Sequence, residues 1–361
     1  MQKIVVLMTL GCFMLGSCHK SPVLPAPGPG PGPATAWTKV AGLPAAAFTA
    51  LATEGNKLYA ATSGSSDTNK AIVYRSTDGG KNWLASSVVK PHAVISALAV
   101  KNGMIFAGIT QDTSATAVQE GIYSSSDGGM TWTTELNLPG TSSFTIWKDV
   151  LFASSAAGGE IGVASIFVRG GGSPAWRPFD LTGLPDRLDF DTYKVLVVNG
   201  TLFAARGVNG FLYRYDTAGM TWTGSDYLSP HQMGTVKDLQ YNGGRLLARM
   251  DGQVIGSADT GRTWAYDTTG MKTVVNTIFA PKVRLIFMGS KKDYIVTNVR
   301  AATKEGQAAV QARIKGAPIG SSWSALGQET LPVSAFANDM LELNGRLFVA
   351  TDQGVYTKGV E

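Results

Sequence analysis

Cysteine is almost missing from this chain. Only Cys12 and Cys18 occur in 361 residues, both near the N-terminus. Beyond residue 18, a disulfide scaffold and a thiolate metal cluster are excluded. Histidine is nearly as scarce. His19, His92 and His231 form no close pair, so no histidine-based metal site is expected and no cofactor is indicated. Charged residues make up only 16% of the chain, with a net charge of +5. No Lys/Arg cluster with interleaved aromatics occurs, which argues against nucleic acid as a partner. Gly-x-Ser-x-Gly, Walker-type and His-Glu-x-x-His patterns are absent, and with them the hydrolase elbow, the phosphate loop and the zincin site. No stretch sustains a 3.6-residue apolar period, so a helical fold is excluded. The apolar run Ile4–Leu15 is too short to span a bilayer as a helix.

What is present is glycine, 43 of them, with 44% hydrophobic residues: enough apolar surface for a sizeable core in a turn-rich β protein. The N-terminus reads as a targeting segment. Lys3 supplies the positive start, the apolar run follows, and Leu15-Gly16-Ser17-Cys18 closes it. That tetrad resembles the bacterial lipobox. The resemblance implies a signal peptide at 1–17 and a lipidated Cys18 as the first mature residue and membrane anchor. Residues 18–36 alternate Pro and Gly from Pro27 to Pro33 and cannot pack, so they form a linker. Stretched at ~3.1 Å per residue, residues 20–36 of it would hold a domain about 50 Å off the membrane. No Asp follows Cys18 and no acidic run follows it, which favours the outer membrane, periplasmic side, over the inner membrane or the cell surface.

From residue 37 the sequence is repetitive. Trp recurs at 37, 83, 132, 176, 222, 264 and 323. A period in the forties with four strand-like segments per unit reads as a propeller blade. Asn-Gly pairs at 102–103, 199–200, 242–243 and 344–345 give hairpin turns. A Leu-Phe-Ala-like segment follows each, and is read as the second strand at Leu58, Ile105, Leu151, Leu202, Leu246, Ile286 and Leu347. Third strands follow at Ile72–Arg75, Gly121–Ser124, Phe211–Arg214 and Gly354–Thr357. Three units then carry Ser-x-Asp-x-Gly-x-x-Trp: Ser76, Asp78, Gly80, Trp83; Ser125, Asp127, Gly129, Trp132; Ser257, Asp259, Gly261, Trp264. The Asp and Ser side chains suit backbone N–H groups of a tight turn, and the Gly suits positive φ. The turns before Trp176, Trp222 and Trp323 lose the Ser and Asp but keep the Trp, as turn reinforcement tolerates and catalysis does not. The last unit stops after its third strand, and an orphan strand begins at Trp37. Their pairing closes a ring. The expectation is an all-β, seven-bladed propeller of four-stranded antiparallel blades over 37–361, monomeric.

The Ser-x-Asp-x-Gly-x-x-Trp turns resemble the Asp-box, or BNR repeat, of β-propellers that include sialidases, other glycoside hydrolases, sortilin-type receptors and the photosystem assembly factor family. The sialidase resemblance implies an early Arg-Ile-Pro and an arginine triad, and neither is found here. The photosystem assembly factor resemblance matches length, blade number and lipobox but rests on the repeat alone, and its arginine patch is not reproduced.

Function is expected on the face that carries the second-to-third strand loops and the interblade connections. The connections at 180–193 and 226–235 stand out, with Arg206 ending the strand between them. Candidate ligand-binding residues are Arg206, Asp186, Arg187, Asp191, Tyr193, Tyr227 and His231. Asp189 and Asp226 are the pair to test as catalytic carboxylates. Residues 291–308 read as a long second-to-third strand connection that accounts for the 59-residue gap before Trp323, either as a loop or in part as two strands extended into a longer hairpin. Trp147 is expected to pack in the core. The reading is a lipid-anchored envelope propeller that binds a protein or glycan without catalysis, with a glycoside hydrolase as the alternative. Facing carboxylates roughly 5–10 Å apart at the channel mouth would favour the hydrolase.

Overall fold

The computed structural model describes residues 36–64, 70–111, 120–138, 140–155, 166–184, 192–206, 212–224, 236–250, 253–271, 282–298, 308–331 and 336–360. They form seven four-stranded antiparallel sheets with no helix among them. A two-residue strand β1 (Thr38–Lys39) opens the domain. Blade 1 is β2 (Phe48–Glu54), β3 (Lys57–Thr62), β4 (Lys70–Ser76) and β5 (Leu84–Pro91). Blade 2 is β6 (Ala93–Lys101), β7 (Met104–Gln111), β8 (Gly121–Ser125) and β9 (Thr133–Leu136). Blade 3 is β10 (Thr141–Trp147), β11 (Val150–Ser155), β12 (Ile166–Gly170) and β13 (Ser173–Pro178). Blade 4 is β14 (Thr192–Val198), β15 (Thr201–Arg206), β16 (Leu212–Asp216) and β17 (Thr221–Gly224). Blade 5 is β18 (Val236–Asn242), β19 (Arg245–Met250), β20 (Gln253–Ser257) and β21 (Ala265–Tyr266). Blade 6 is β22 (Lys282–Met288), β23 (Lys292–Asn298), β24 (Ala308–Ile314) and β25 (Ser324–Thr330). Blade 7 is β26 (Ala337–Leu343), β27 (Arg346–Thr351) and β28 (Gly354–Gly359), completed by β1.

Each blade's first strand contacts the first strand of the next, and β26 contacts β2, so the ring is closed. Closure is completed by Thr38 opposite Thr357 and Lys39 opposite Tyr356, as the orphan strand predicted. The Asn-Gly turns behave as expected at Asn102, Asn199 and Asn344, where both turn residues have positive φ. At 242 the turn is displaced by one. Asn242 pairs with Arg245, Gly243 and Gly244 make the turn, and the freed Asn242 amide donates to the Gly289 carbonyl at 2.7 Å.

The core is seven interblade layers rather than one centre. Successive residues of a strand point to opposite faces, and here both faces are buried. Leu58 and Ala60 pack against blade 7, while Tyr59 and Ala61 pack against blade 2. Leu202 and Ala204 face blade 3, while Phe203 and Ala205 face blade 5. This explains why the second strands are apolar without alternation: each residue is buried against one neighbouring blade or the other.

One segment was misassigned by the repeat. Ile286-Phe287-Met288-Gly289 ends the innermost strand β22, not a second strand. Blade 6's second strand is β23, so Lys292–Asn298 of the 291–308 stretch is strand and Ala308 opens β24, while 299–307 lie outside the described residues. The long Trp264–Trp323 interval combines the stretch before β22 (267–281) with the one between β23 and β24 (299–307).

The three complete turns are built alike. Ser76 Oγ donates to Asp78 Oδ1 at 2.8 Å and accepts from the Gly80 N–H at 2.8 Å. Asp78 Oδ1 accepts from the N–H groups of Lys81 and Asn82 at 3.0 and 2.9 Å. Ser125 and Asp127, then Ser257 and Asp259, repeat this network. Trp83 and Trp264 donate to their own turn, at the carbonyls of Gly80 and Gly261. In blades 4 and 6, which lack the box residues, the Trp is anchored differently. Trp222 and Trp323 are buried and donate to the carbonyls of Asp180 and Asp267, which belong to the preceding blade's exit.

Candidate functional site at the mouth of the central channel

Every innermost strand carries a β-bulge at its entry. The unpaired residue is Thr49, Ser96, Ser142, Tyr193, Lys237, Arg284 or Asn338 in blades 1 to 7. A bulge re-aims side chains and ends regular pairing. The bulges lie at the end that receives the interblade connections, the face the sequence points to. There a cavity of about 300 Å³ is lined by all seven innermost strands.

Its wall has two unlike arcs. Blades 1 to 3 contribute uncharged side chains: the hydroxyls of Thr49, Ser96, Ser142 and Ser143 beside Ala50, Ala97 and the apolar Leu51, Leu98 and Phe144. Thr49 Oγ1 donates to the Ile95 carbonyl at 2.6 Å and Ser96 Oγ to the Thr141 carbonyl at 2.5 Å. Asn338 closes the series with a 2.8 Å bond to the Phe48 carbonyl. Each side chain thus ties its blade to the backbone just before the next blade's bulge.

Blades 4 to 7 contribute charge. Lys194, Lys237, Arg249 and Arg284 face Asp238 and Asp339 across the same cavity. Lys194 Nζ pairs with Asp238 Oδ1 at 2.6 Å, and that oxygen also accepts the Leu239 N–H at 2.9 Å. Asp339 accepts the Met340 N–H at 2.8 Å and, across the closing seam, the Leu51 N–H at 2.7 Å. Burial pushes the Asp339 carboxyl up to about 6, against the pull of those two N–H groups and of Lys194. Lys237 and Arg284 are exposed and form no ion pair among the described residues. Arg284 lies within electrostatic reach of Asp352, whose own carboxyl is raised by burial. Arg249 occupies a slot that holds Ala61, Gly108, Ser154, Ala205, Val296 and Ala350 in the other blades, opposite the residue that follows the bulge.

Of the residues singled out from sequence, Asp186, Arg187, Asp189, Asp191, Asp226, Tyr227 and His231 lie outside the described residues. Tyr193 and Arg206 are on the paired strands β14 and β15 at the bulge end, with Arg206 opposite Thr192. Thr297 holds the position of Arg206 in blade 6. The box residues sit in turns at the opposite face. Trp147 lies at the far end of β10, packed on Phe152 with Lys148 Nζ 4.5 Å above its ring. Lys237, Arg249, Arg284, Asp238 and Asp339 were missed. One signal was available for Arg249: a long cation in the small slot of Leu246-Leu247-Ala248-Arg249.

The propeller fold has counterparts of known structure. No family model and no curated protein matches the chain. Among solved structures it is similar to YCF48 bound to a D1 peptide, with TM-score 0.61 and 11% identity over 90% of this chain and 97% of that one. It is similar to the extracellular domain of the putative hybrid two component system BT4673 from B. thetaiotaomicron, with TM-score 0.59 and 9% identity, over 89% of this chain and 39% of that one. It is similar to the GH74 xyloglucanase from Xanthomonas campestris, with TM-score 0.58 and 14% identity, over 84% of this chain and 51% of that one. The chain thus spans about two fifths and one half of the latter two. These likenesses establish the propeller fold.

Proposed function

We propose that this propeller is a non-catalytic binding module that seats an acidic segment of a protein partner at the channel mouth. The observation that carries the reading is the charge imbalance of the wall: four cations against two carboxylates, both already engaged by backbone N–H groups. YCF48, of the same fold, has been captured with a peptide bound, which supports a protein partner. In this reading the domain resembles Asp-box propellers, acts as a monomer, and is tethered through Cys18 at the periplasmic side of the outer membrane. The test is anisotropy of a labelled Glu-rich decapeptide against a Gln-rich control. The acidic peptide is expected to bind, to weaken with salt, and to lose about tenfold in affinity in the double variant Lys237→Gln/Arg284→Gln. Equal binding of the Gln-rich peptide would end this reading.

A glycoside hydrolase is the second reading, favoured by one observation. Asp339 is raised to about 6 while the neighbouring Asp238 is ion-paired, so the two carboxyls sit in unlike environments as an acid and its partner must. Turnover of xyloglucan that disappears in Asp339→Asn would establish it.

A further inference from the structure

A second cavity, of about 310 Å³, lies between blades 4 and 5 at the level of the third-to-fourth strand turns, away from the channel. Its floor is Phe203 and Leu212. Arg214 and Arg262 stand at its walls, with Thr223 and Thr260 beside them. Both arginines are exposed, and among the described residues no carboxylate lines the cavity and neither guanidinium makes an ion pair.

The corresponding place between blades 1 and 2 shows why the cleft is open. Arg75 is the equivalent of Arg214: each is opposite the aromatic of its second strand, Tyr59 or Phe203. Arg75 lies flat on the neighbouring turn, so close that a Cβ built on Gly128 would meet its Nη1 at 2.2 Å. The outer strand seals the gap there, with the Ser87 N–H donating to the Gly129 carbonyl at 2.8 Å. In blade 5 the residue equivalent to Gly128 is Thr260, held at φ 59 in the left-handed region that favours glycine. Its Cβ blocks the resting place that Arg75 uses. Arg214 is therefore kept off the turn and left beside Arg262, which replaces the exposed Met130 of blade 2.

We propose that this cleft binds a phosphate-type oxyanion between Arg214 and Arg262. Two guanidinium forks offer charge-assisted, bidentate donors. Both threonine hydroxyls already donate, to the carbonyls of Arg214 and Asp259, so the arginines supply the recognition. The apolar floor suits a compact body that carries the anion. The site is independent of the channel.

The test is calorimetric titration of the full chain with phenyl phosphate and with inorganic phosphate. Saturable binding is expected, weakened at least about tenfold in Arg214→Gln and in Arg262→Gln, and unchanged in the channel variant Lys237→Gln. Tighter binding of phenyl phosphate assigns the site to a phosphate carried on a larger molecule. Equal binding assigns it to free phosphate. Thr260→Gly lets Arg214 settle on the turn and closes the cleft, so affinity falls while the melting temperature holds or rises. Absence of saturable binding by either probe, or binding indifferent to both arginine substitutions, overturns the proposal. So does a loss in Lys237→Gln equal to that in Arg214→Gln, which would place the anion in the channel.

Discussion

Asp339 and the box aspartates pull stability in opposite directions as pH changes. Asp78 and Asp127 accept turn N–H groups, foremost through Asn82 and Thr131, and are held well below the usual carboxylate range. Their contribution is present above the unfolded value near 4 and is lost as pH falls below it. Asp339 is raised to about 6 by burial. Its proton leaves the unfolded chain first, so stability is lost as pH rises from about 4 through 6. The size of that loss is on the order of 1–3 kcal/mol, the lower end applying because the carboxyl opens into the channel. Asp339→Asn is expected to flatten the decline in melting temperature between pH 4 and 6 and to leave the acid limb below pH 4 in place. A decline that persists in the variant would assign it to another group.

At the scale of elements, blades 5 and 6 are joined differently from the rest. Arg313 on β24 binds Asp267, just beyond β21, through Nη1 at 2.6 Å, and its Nε lies 3.5 Å from Asp293 on β23. Arg245 on β19 also pairs with Asp293. Arg313 stacks over Trp323 with its Cζ 4.2 Å from the ring, and Asp267 accepts the Gly320 N–H at 2.8 Å. All four charged groups are buried. This lattice holds the turn before Trp323, which lacks its own Ser and Asp. Asp267→Asn leaves Arg313 short of a counter-charge in the interior and is expected to cost about 3–5 kcal/mol, read as a drop in urea midpoint at constant slope. Nothing in the local sequence announces the lattice, because its members come from four strands or exits 20 to 50 residues apart. The same limit misplaced Ile286-Phe287-Met288-Gly289. First and second strands are buried on both faces, so hydrophobic pattern does not separate them. Only pairing does. The complete box turns, by contrast, were legible, because Ser, Asp, Gly and Trp within eight residues make most of their bonds to one another.

At the scale of the whole molecule, the ring was readable from its ends and the site was not. Trp37 heads a strand with no blade of its own, and Gly354–Gly359 ends a blade with no fourth strand, so closure followed from counting. The channel mouth takes one bulged residue from each of seven repeats, and a bulge leaves no mark in a single strand's pattern. Lys237 and Arg284 look like ordinary solvated residues until the strands are set in a circle. Closure itself can be tested. Trp37 and Val40 are buried in the closing seam, and the Val40 N–H donates to the Val355 carbonyl at 2.8 Å. Deleting residues 36–41 exposes the edge of β28 and is expected to lower stability by about 3–5 kcal/mol, with aggregation at the bared edge. Because β1 runs antiparallel to β28, Thr38 lies opposite Thr357 near the chain's last strand end. A permuted chain that starts at Leu43 and carries residues 36–41 after Val360, joined by a copy of the Asp127–Thr131 turn, makes that pair an ordinary hairpin. It is expected to regain most of the lost melting temperature. If the deletion melts like the parent chain, the seam contributes nothing and the ring is held by its interblade layers alone. If the permutant fails where the deletion also fails, the strand stabilises the ring only when it enters from the N-terminal side.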